Sequence, residues 1–371
     1  MKRFFTPSLS FIFFGCLLFV SGIFISCQKK WPGPSYNEGV KPTANNPWLP
    51  DQKIDLFTLG RVLFYDKNLS LDKSVSCGSC HQQAYGFSDN KALSTGCSGM
   101  QTKRNTHALM NTNSSHFWDG RTNNYLQAIS IPLQTPSELN MTDLDLLCQR
   151  LSNIPYYPSF FVQASPYYTT TITPANIQLA LSTFISSINA DNCKYYQAYP
   201  PNGGTPSATL NQQELNGMAI FNGKGKCALC HNPANNFSGS TDQFEDIGLD
   251  ATYTDLGRGG YTNLSSDNGK FQIPSLLNVS LTAPYMHDGR FKTLSEVVDF
   301  FSGSINSSPN LSSALTLNPV LNANGPGYTT GGPAAPIGLT ANEKSDLIAF
   351  LLTLTDMSQV TNVNYSDPFK H

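Results

Sequence analysis

Two short stretches, "SVSCGSCHQQ" and "GKCALCHNP", carry one figure twice: Cys77, Cys80 and His81, then Cys227, Cys230 and His231. Whatever these residues hold is held twice, and the fold must enclose both sites. A disulfide accounts for each CxxC pair but not for a histidine directly behind it in both copies. A zinc site brings a second CxxC or a His pair close in sequence, whereas these figures stand 150 residues apart (77 to 227). Covalent attachment of a c-type haem uses every member. Two thiols add to the porphyrin vinyl groups, and the next residue offers its imidazole to the iron. Two c-type haems are the expectation.

The chain has 371 residues, which suits two domains of ordinary size, and at 40% hydrophobic and 11% aromatic it can bury real cores. Its formal net charge of -2 argues against a nucleic-acid partner, because such proteins usually carry a basic face. Lys2 and Arg3 precede the apolar run "FIFFGCLLFVSGIFIS", which stops at Cys27. A basic start, an apolar run and a cleavage region read as a secretory signal over residues 1–27, with Cys27 the acylated first residue of a lipoprotein. A single transmembrane anchor is the open alternative, since the run is near the ~18 to 20 residues that span a bilayer. Either way the folded part lies in the periplasm or cell envelope, where haem attachment of this kind takes place. Beyond the leader and the two CxxCH figures, Cys97, Cys148 and Cys193 remain. In an oxidising compartment a Cys148–Cys193 disulfide is expected, leaving Cys97 odd.

Each CxxCH follows helical signals. "IDLFTLGRVLFYD" reads as an amphipathic helix before the first, and "LNQQELNGMAIFNGKGK", with Leu215, Met218, Ala219 and Phe221, as another before the second. The halves therefore read as repeats of one module, joined by the linker "YPPNGGTPSAT" at 199–209. The boundaries expected are 28–200 for an N-terminal haem domain and 201–371 for a C-terminal one. Thr293 with Glu296 and Thr340 with Glu343 read as capping boxes, the second leading a stripe of Leu347, Ile348, Leu351 and Leu354. Between these two helices, residues 307–336 are rich in Gly, Pro and Asn and predict a long irregular loop. Strand signals are weak, so the class is mainly α, in two cytochrome c-like domains.

Further motifs carry a resemblance: "LGRVLFYDKNLSLDKSVSCGSCH", "KRNTHALMN", "FWDGR", "LQAISIPLQTPSEL", "DLGRGG" and "FQIPSLLNVSLTAPYMHDGRFKTLSEVVDFF". With the two CxxCH figures, these resemble the bacterial di-haem cytochrome c peroxidases and their relatives of the MauG type, over nearly the whole mature chain. The resemblance implies that hydrogen peroxide binds at the haem on His81 and that the haem on His231 receives electrons from a small cytochrome c or cupredoxin. It places Trp118 between the haems, where an indole shortens a long electron hop. Glu138 matches the family's distal carboxylate, suited to general acid/base work on peroxide. Asn105, Thr282 and the carbonyl of Pro284 match a calcium position, all three offering hard oxygen ligands. The resemblance also implies a homodimer, with membrane contact only through the lipid anchor.

Two positions depart from the family pattern. Where many of these peroxidases have a histidine that caps the resting peroxidatic iron, this chain has Cys97, and there is no histidine between His81 and His107. The expectation is an open iron on His81; caps by His107, His116 or Cys97 are the open alternatives. Fourteen residues after His287, where the family has Met or Tyr, stands Phe301, which cannot bind iron. That leaves the sixth ligand of the His231 haem unassigned, with Met286 and Met357 available. Two other functions stay in view. One is a MauG-like enzyme that oxidises another protein; the other is a di-haem electron carrier without catalysis.

Overall fold

The structure is a computed structural model that describes residues 54–369 apart from 112–116, 165–169, 202, 239–242 and 317–332. The leader with Cys27, and His116, therefore lie outside the described residues. In the first half the helices are α1 (Leu56–Tyr65), α2 (Cys77–Cys80), α3 (Tyr125–Gln134), α4 (Leu144–Ser152), α5 (Tyr157–Ala164), α6 (Pro174–Ser186) and α7 (Lys194–Ala198). The second half adds α8 (Gln212–Asn222), α9 (Gly259–Thr262), α10 (Leu294–Gly303), α11 (Ala341–Leu352) and α12 (Met357–Thr361). Strands are limited, among the described residues, to β1 (Phe244–Glu245) and β2 (Phe271–Gln272), paired antiparallel. The mainly α expectation holds.

Both halves rest on a helix crossing made close by glycine. A Cβ on Gly60 of α1 would run into the Ala180 carbonyl of α6, and one on Gly217 of α8 would run into the Asp346 carbonyl of α11. Helix starts follow local chemistry. The Asp55 carboxylate accepts the Thr58 amide at 2.8 Å to open α1, and Thr173 caps α6 with Pro174 at its first position. Asn211 and Glu214 form a reciprocal capping box on α8, and the expected boxes at Thr293 and Thr340 open α10 and α11.

Two helix faces differ from the expectation. α1 is not amphipathic: every residue from Thr58 to Tyr65 is buried, because α6 covers one side and the C-terminal tail the other. Arg61, 2% exposed, is satisfied by that tail, donating from Nε to the Ser366 carbonyl (2.7 Å) and from Nη2 to the Ser366 hydroxyl (3.0 Å). On α8 the buried positions are Glu214, Gly217 and Phe221, while Ala219 is exposed. Close approach of α11 at Gly217 buries the face that also carries Phe221, and leaves Leu215 and Met218 half-buried. The stripe on α11 buries Leu347 and Leu351, with Leu354 just beyond, and leaves Ile348 half-buried.

After each CxxCH the chain repeats one loop. His81 and His231 each donate from Nδ1 to a carbonyl six residues on, Phe87 and Phe237, at 3.0 Å. Antiparallel bridges pair Gln82 with Ser88 and Asn232 with Ser238. The turn uses a left-handed residue in both copies, Gly86 and Asn236. The halves are also interlocked. Tyr195 on α7 donates its amide to the Thr353 carbonyl of the second half, and Lys194 pairs with Glu214 at 2.6 Å. In return the tail crosses to the first half, where the Gln359 and Asn362 carbonyls accept from Gln83 and the Tyr365 carbonyl accepts from Tyr65.

The expected Cys148–Cys193 disulfide is absent. Cys148 sits on the inner side of α4 and Cys193 at the start of α7, both as free thiols in separate surroundings. The irregular 307–336 segment carries a 3-10 turn at Ser313–Leu315 and a bridge from Thr316 to Ala334 around its undescribed middle. The crossing at Gly217 leads to a test: Gly217→Ala forces α8 and α11 apart and costs about 1–3 kcal/mol. The loss is read as a lower unfolding midpoint by circular dichroism, and an unchanged midpoint shows the crossing to be slack.

Candidate active site between two CxxCH cavities

Short helical turns present the paired thiols. Ser76 opens α2 with its amide bonded to the Ser79 hydroxyl (2.9 Å), and His81 closes it with its amide on the Cys77 carbonyl (2.9 Å). In the second copy the His231 amide makes the same bond to the Cys227 carbonyl (2.8 Å). Cys77 and His81 line a cavity of about 190 Å³ with Phe117, Tyr125 and Leu139. Cys227, Cys230 and His231 line another of about 250 Å³ with Met286 and Phe301.

These residues fit a covalently attached haem and do not fit zinc. The carbonyl bonds to each Nδ1–H leave Nε2 of His81 and His231 as the free lone pair a metal requires. Burial pushes His231 down to about 4 and lowers His81 as well, so both rings are neutral near pH 7. Burial also pushes the thiols up, to about 12 for Cys77, Cys227 and Cys230 and about 11 for Cys80. Both pairs are therefore neutral thiols near pH 7. Among the described residues no group of three or more His, Cys, Asp or Glu is placed to hold a metal ion.

The two cavities share a wall made of His107, Ala108 and residues 272–275. Trp118 lines the His231 cavity beside this wall, donating from Nε1 to the Asn105 carbonyl (2.9 Å) and accepting the Gln272 amide at its own carbonyl (2.8 Å). Its indole lies against the His107 ring, centroids 4.1 Å apart, and edge-on to His287 at 6.5 Å. His287 in turn stacks on Phe271 at 3.7 Å.

An ion cluster holds this wall, and the sequence reading missed it. Arg104 forks onto Asp255 through Nε and Nη2 (2.7 and 2.8 Å) and reaches Asp119 through Nη1 (2.6 Å). Arg121 adds a 3.2 Å contact to Asp119 and lies over the Phe117 ring at 3.5 Å. Three stretches singled out for likeness alone, "KRNTHALMN", "FWDGR" and "DLGRGG", thus meet at one guanidinium. The only sequence signal was that each held an unpaired-looking charge. Gly120 is needed at its left-handed angle (φ 62°), because a Cβ there would enter the Phe244 ring.

The structure places the other candidates as follows. Glu138 is partly buried near Cys77 and Cys80, whose thiols feel its charge; burial raises its carboxyl, opposed by Arg121. Cys97 borders neither cavity: its sulfur lies 3.7 Å from the Ser98 hydroxyl and also touches Asp72. Of the proposed caps, His107 does border the His81 cavity. Its Nε2 is buried without a partner, and burial pushes it down to about 3. Met286 and Phe301 line the His231 cavity, while Met357 is 49% exposed and lines neither. Asn105, Thr282 and Pro284 border the same cavity. The Asn105 amide nitrogen is taken up by the Lys91 and Ala92 carbonyls (3.0 and 3.3 Å), and the Thr282 hydroxyl donates to Val279 (3.3 Å). Glu245, half-buried and with its pKa raised by burial, also lines it and was not anticipated.

Comparison with known proteins agrees with this geometry. A family described as di-haem cytochrome c peroxidase matches residues 55–202. The methylamine utilization protein MauG of Methylorubrum extorquens is 30% identical over 321 residues, 85% of this chain and 82% of that one. The chain belongs to the di-haem cytochrome c peroxidase family. As a member it is a haem-dependent oxidoreductase of the cytochrome-c peroxidase class. The cytochrome c551 peroxidase of Nitrosomonas europaea is 29% identical over 81% of this chain and 84% of that one. The crystal structure of a MauG-like protein associated with microbial copper homeostasis superposes with a TM-score of 0.71 at 28% identity, covering 92% of this chain and 99% of that one.

The ion cluster sets a pH dependence. Burial pushes the Asp255 carboxyl up, but the Arg104 hydrogen bonds and charge outweigh it and hold the group below its ordinary value. A depressed carboxylate adds stability that is complete above its unfolded pKa of about 3.9 and disappears as pH falls through the lower folded value. Arg104→Ala should therefore cost about 2 kcal/mol at pH 7, read by denaturant unfolding, with the deficit shrinking below about pH 4. A deficit independent of pH would contradict this.

Proposed function

We propose that this protein reduces hydrogen peroxide to water at the His81 haem, using electrons relayed from the His231 haem. The observation that supports the reading is the shared wall of His107, Ala108 and residues 272–275, which separates a cavity lined by Cys77 and His81 from one lined by Cys227, Cys230, His231 and Trp118. The expected division into a peroxidatic domain, 28–200, and an electron-accepting domain, 201–371, belongs to the same proposal. So do Cys27 acylation and an extracytoplasmic location, which Cys27→Ser would change by releasing the protein into the soluble fraction.

When bound, the two haems supply one-electron chemistry and a site where the O–O bond can break. The chain's own residues do the rest. His81 and His231 are oriented by the Phe87 and Phe237 carbonyls, which keep Nε2 basic and aimed into the cavities. Glu138, with its carboxyl raised by burial, would take a proton from peroxide held at the His81 site and return it to the departing oxygen, so that charge need not build up there. Apolar walls of Phe117, Leu139 and Ile129 keep bulk water from competing. Trp118 is held rigid by its Nε1 bond and by the Arg104 cluster, which limits reorganisation as an electron passes. The donor in this reading is a small cytochrome c or cupredoxin.

A second reading, oxidation of another protein in the MauG manner, is favoured by the Methylorubrum relative and opposed by Phe301 in place of a ligating side chain. Turnover separates the two. Purified holoprotein should carry two covalent haems per chain and consume peroxide with a reduced c-type cytochrome. Glu138→Gln should keep both haems yet lose about a hundred- to ten-thousand-fold in rate. Peroxide consumption that needs a protein substrate and ignores reduced cytochrome supports the second reading; a fully active Glu138→Gln removes Glu138 from the mechanism. Calcium at Asn105, Thr282 and Pro284 is part of the proposal on the strength of their hard oxygens. A chelator should then slow turnover and added calcium restore it, and an unaffected rate would rule the site out.

A further inference from the structure

The carbonyl that holds each histidine belongs to a phenylalanine, and the two rings lead to different places. Phe87 meets Phe64 and Tyr365, both at 6.3 Å, and the half-buried Tyr365 donates its hydroxyl to the Ser187 carbonyl (2.9 Å), so that path ends on a hydrogen-bonded phenol. Phe237 meets Tyr195 edge-on at 4.9 Å. One helical turn on, Tyr195 meets Tyr199 at 5.3 Å, and Tyr199 is 44% exposed. A continuous run of rings therefore joins the carbonyl support of His231 to solvent. Its outer two members are phenols, which lose one electron far more readily than a phenyl ring. Edge-to-face and tilted packing hold the rings at fixed separation, and α7 is tied down at both sides by the Thr353 carbonyl and the Lys194–Glu214 pair.

We propose that Tyr199, working through Tyr195, is a surface one-electron oxidation site at which a reductant docked outside the protein delivers electrons toward the His231 site. The inference rests on the peroxidase reading, since hydrogen peroxide is its oxidant. In each event Tyr199 gives one electron inward along Tyr195 and Phe237 and its phenolic proton to water. The external reductant then returns one electron to the phenoxyl oxygen, which regains a proton from water. Two such events match the two electrons that one hydrogen peroxide takes up on becoming two waters. The run from Phe87 differs, because it meets a half-buried Tyr365 whose hydroxyl donates to the Ser187 carbonyl.

The test treats holoprotein with hydrogen peroxide and a nitroso spin trap, without donor, and maps adducts by mass spectrometry. Tyr199 should be labelled well above Tyr261, which is more exposed at 53% but lies outside the run. Tyr195→Phe should abolish the Tyr199 adduct although Tyr199 is still present, and Tyr261→Phe should leave it unchanged. Haem content and circular dichroism check that each variant is folded; if Tyr195→Phe is not, Tyr199→Phe must shift the adduct inward to Tyr195. Equal labelling of Tyr199 and Tyr261, or a Tyr199 adduct that survives Tyr195→Phe, overturns the surface site while peroxide is still consumed. Wild-type protein that consumes no peroxide overturns the peroxidase reading and this inference together.

Discussion

One guanidinium, that of Arg104, ties together segments that are far apart in the chain. Its fork onto Asp255 and its third bond to Asp119 bring the loop before His107, the turn carrying Trp118 and the loop leading into α9 to one place. Such a cluster repays its desolvation only where geometry is good and every charge is answered, and Arg121 supplies the second cation that Asp119 needs. The wall between the cavities depends on this, since Trp118 and His107 are carried by the segments being clamped.

Around that wall the protein is a repeat that has been made unequal. Both halves use a glycine-mediated helix crossing, a CxxCH turn and a carbonyl six residues on to aim an imidazole. The first half is then sealed by the C-terminal tail, which buries Arg61 and Tyr65 and leaves its aromatic cluster closed. The second is sealed by α7, borrowed from the first half's side of the linker, and its aromatic cluster reaches the surface. An enclosed site suits reaction with a small oxidant. A site wired outward suits exchange of electrons with something large.

Legibility followed the range of the interactions. The capping boxes at Thr293 and Thr340, the helical turns of the two CxxCH figures and the mainly α class were readable because each depends on residues within a few positions of one another. The buried face of α8 was read only in part: of Leu215, Met218, Ala219 and Phe221 only Phe221 is fully buried, because the backbone of α11 approaches at Gly217. The Cys148–Cys193 bridge failed for a related reason, since counting cysteines says nothing about which surfaces they face. Cys97 occupies the position of a capping histidine in the chain, yet it turns toward Ser98 and Asp72.

By itself the sequence determined the two CxxCH figures and the helical turns that carry them, because each depends only on residues within a few positions of one another. Tertiary structure alone decided how those sites are joined. The Arg104 cluster, the shared wall of His107 and residues 272–275, and the run from Phe237 to Tyr199 unite residues that no local pattern relates. Packing and charge pairing between distant segments are settled only when the helices cross, so their outcome is written in the fold and not in any stretch of letters.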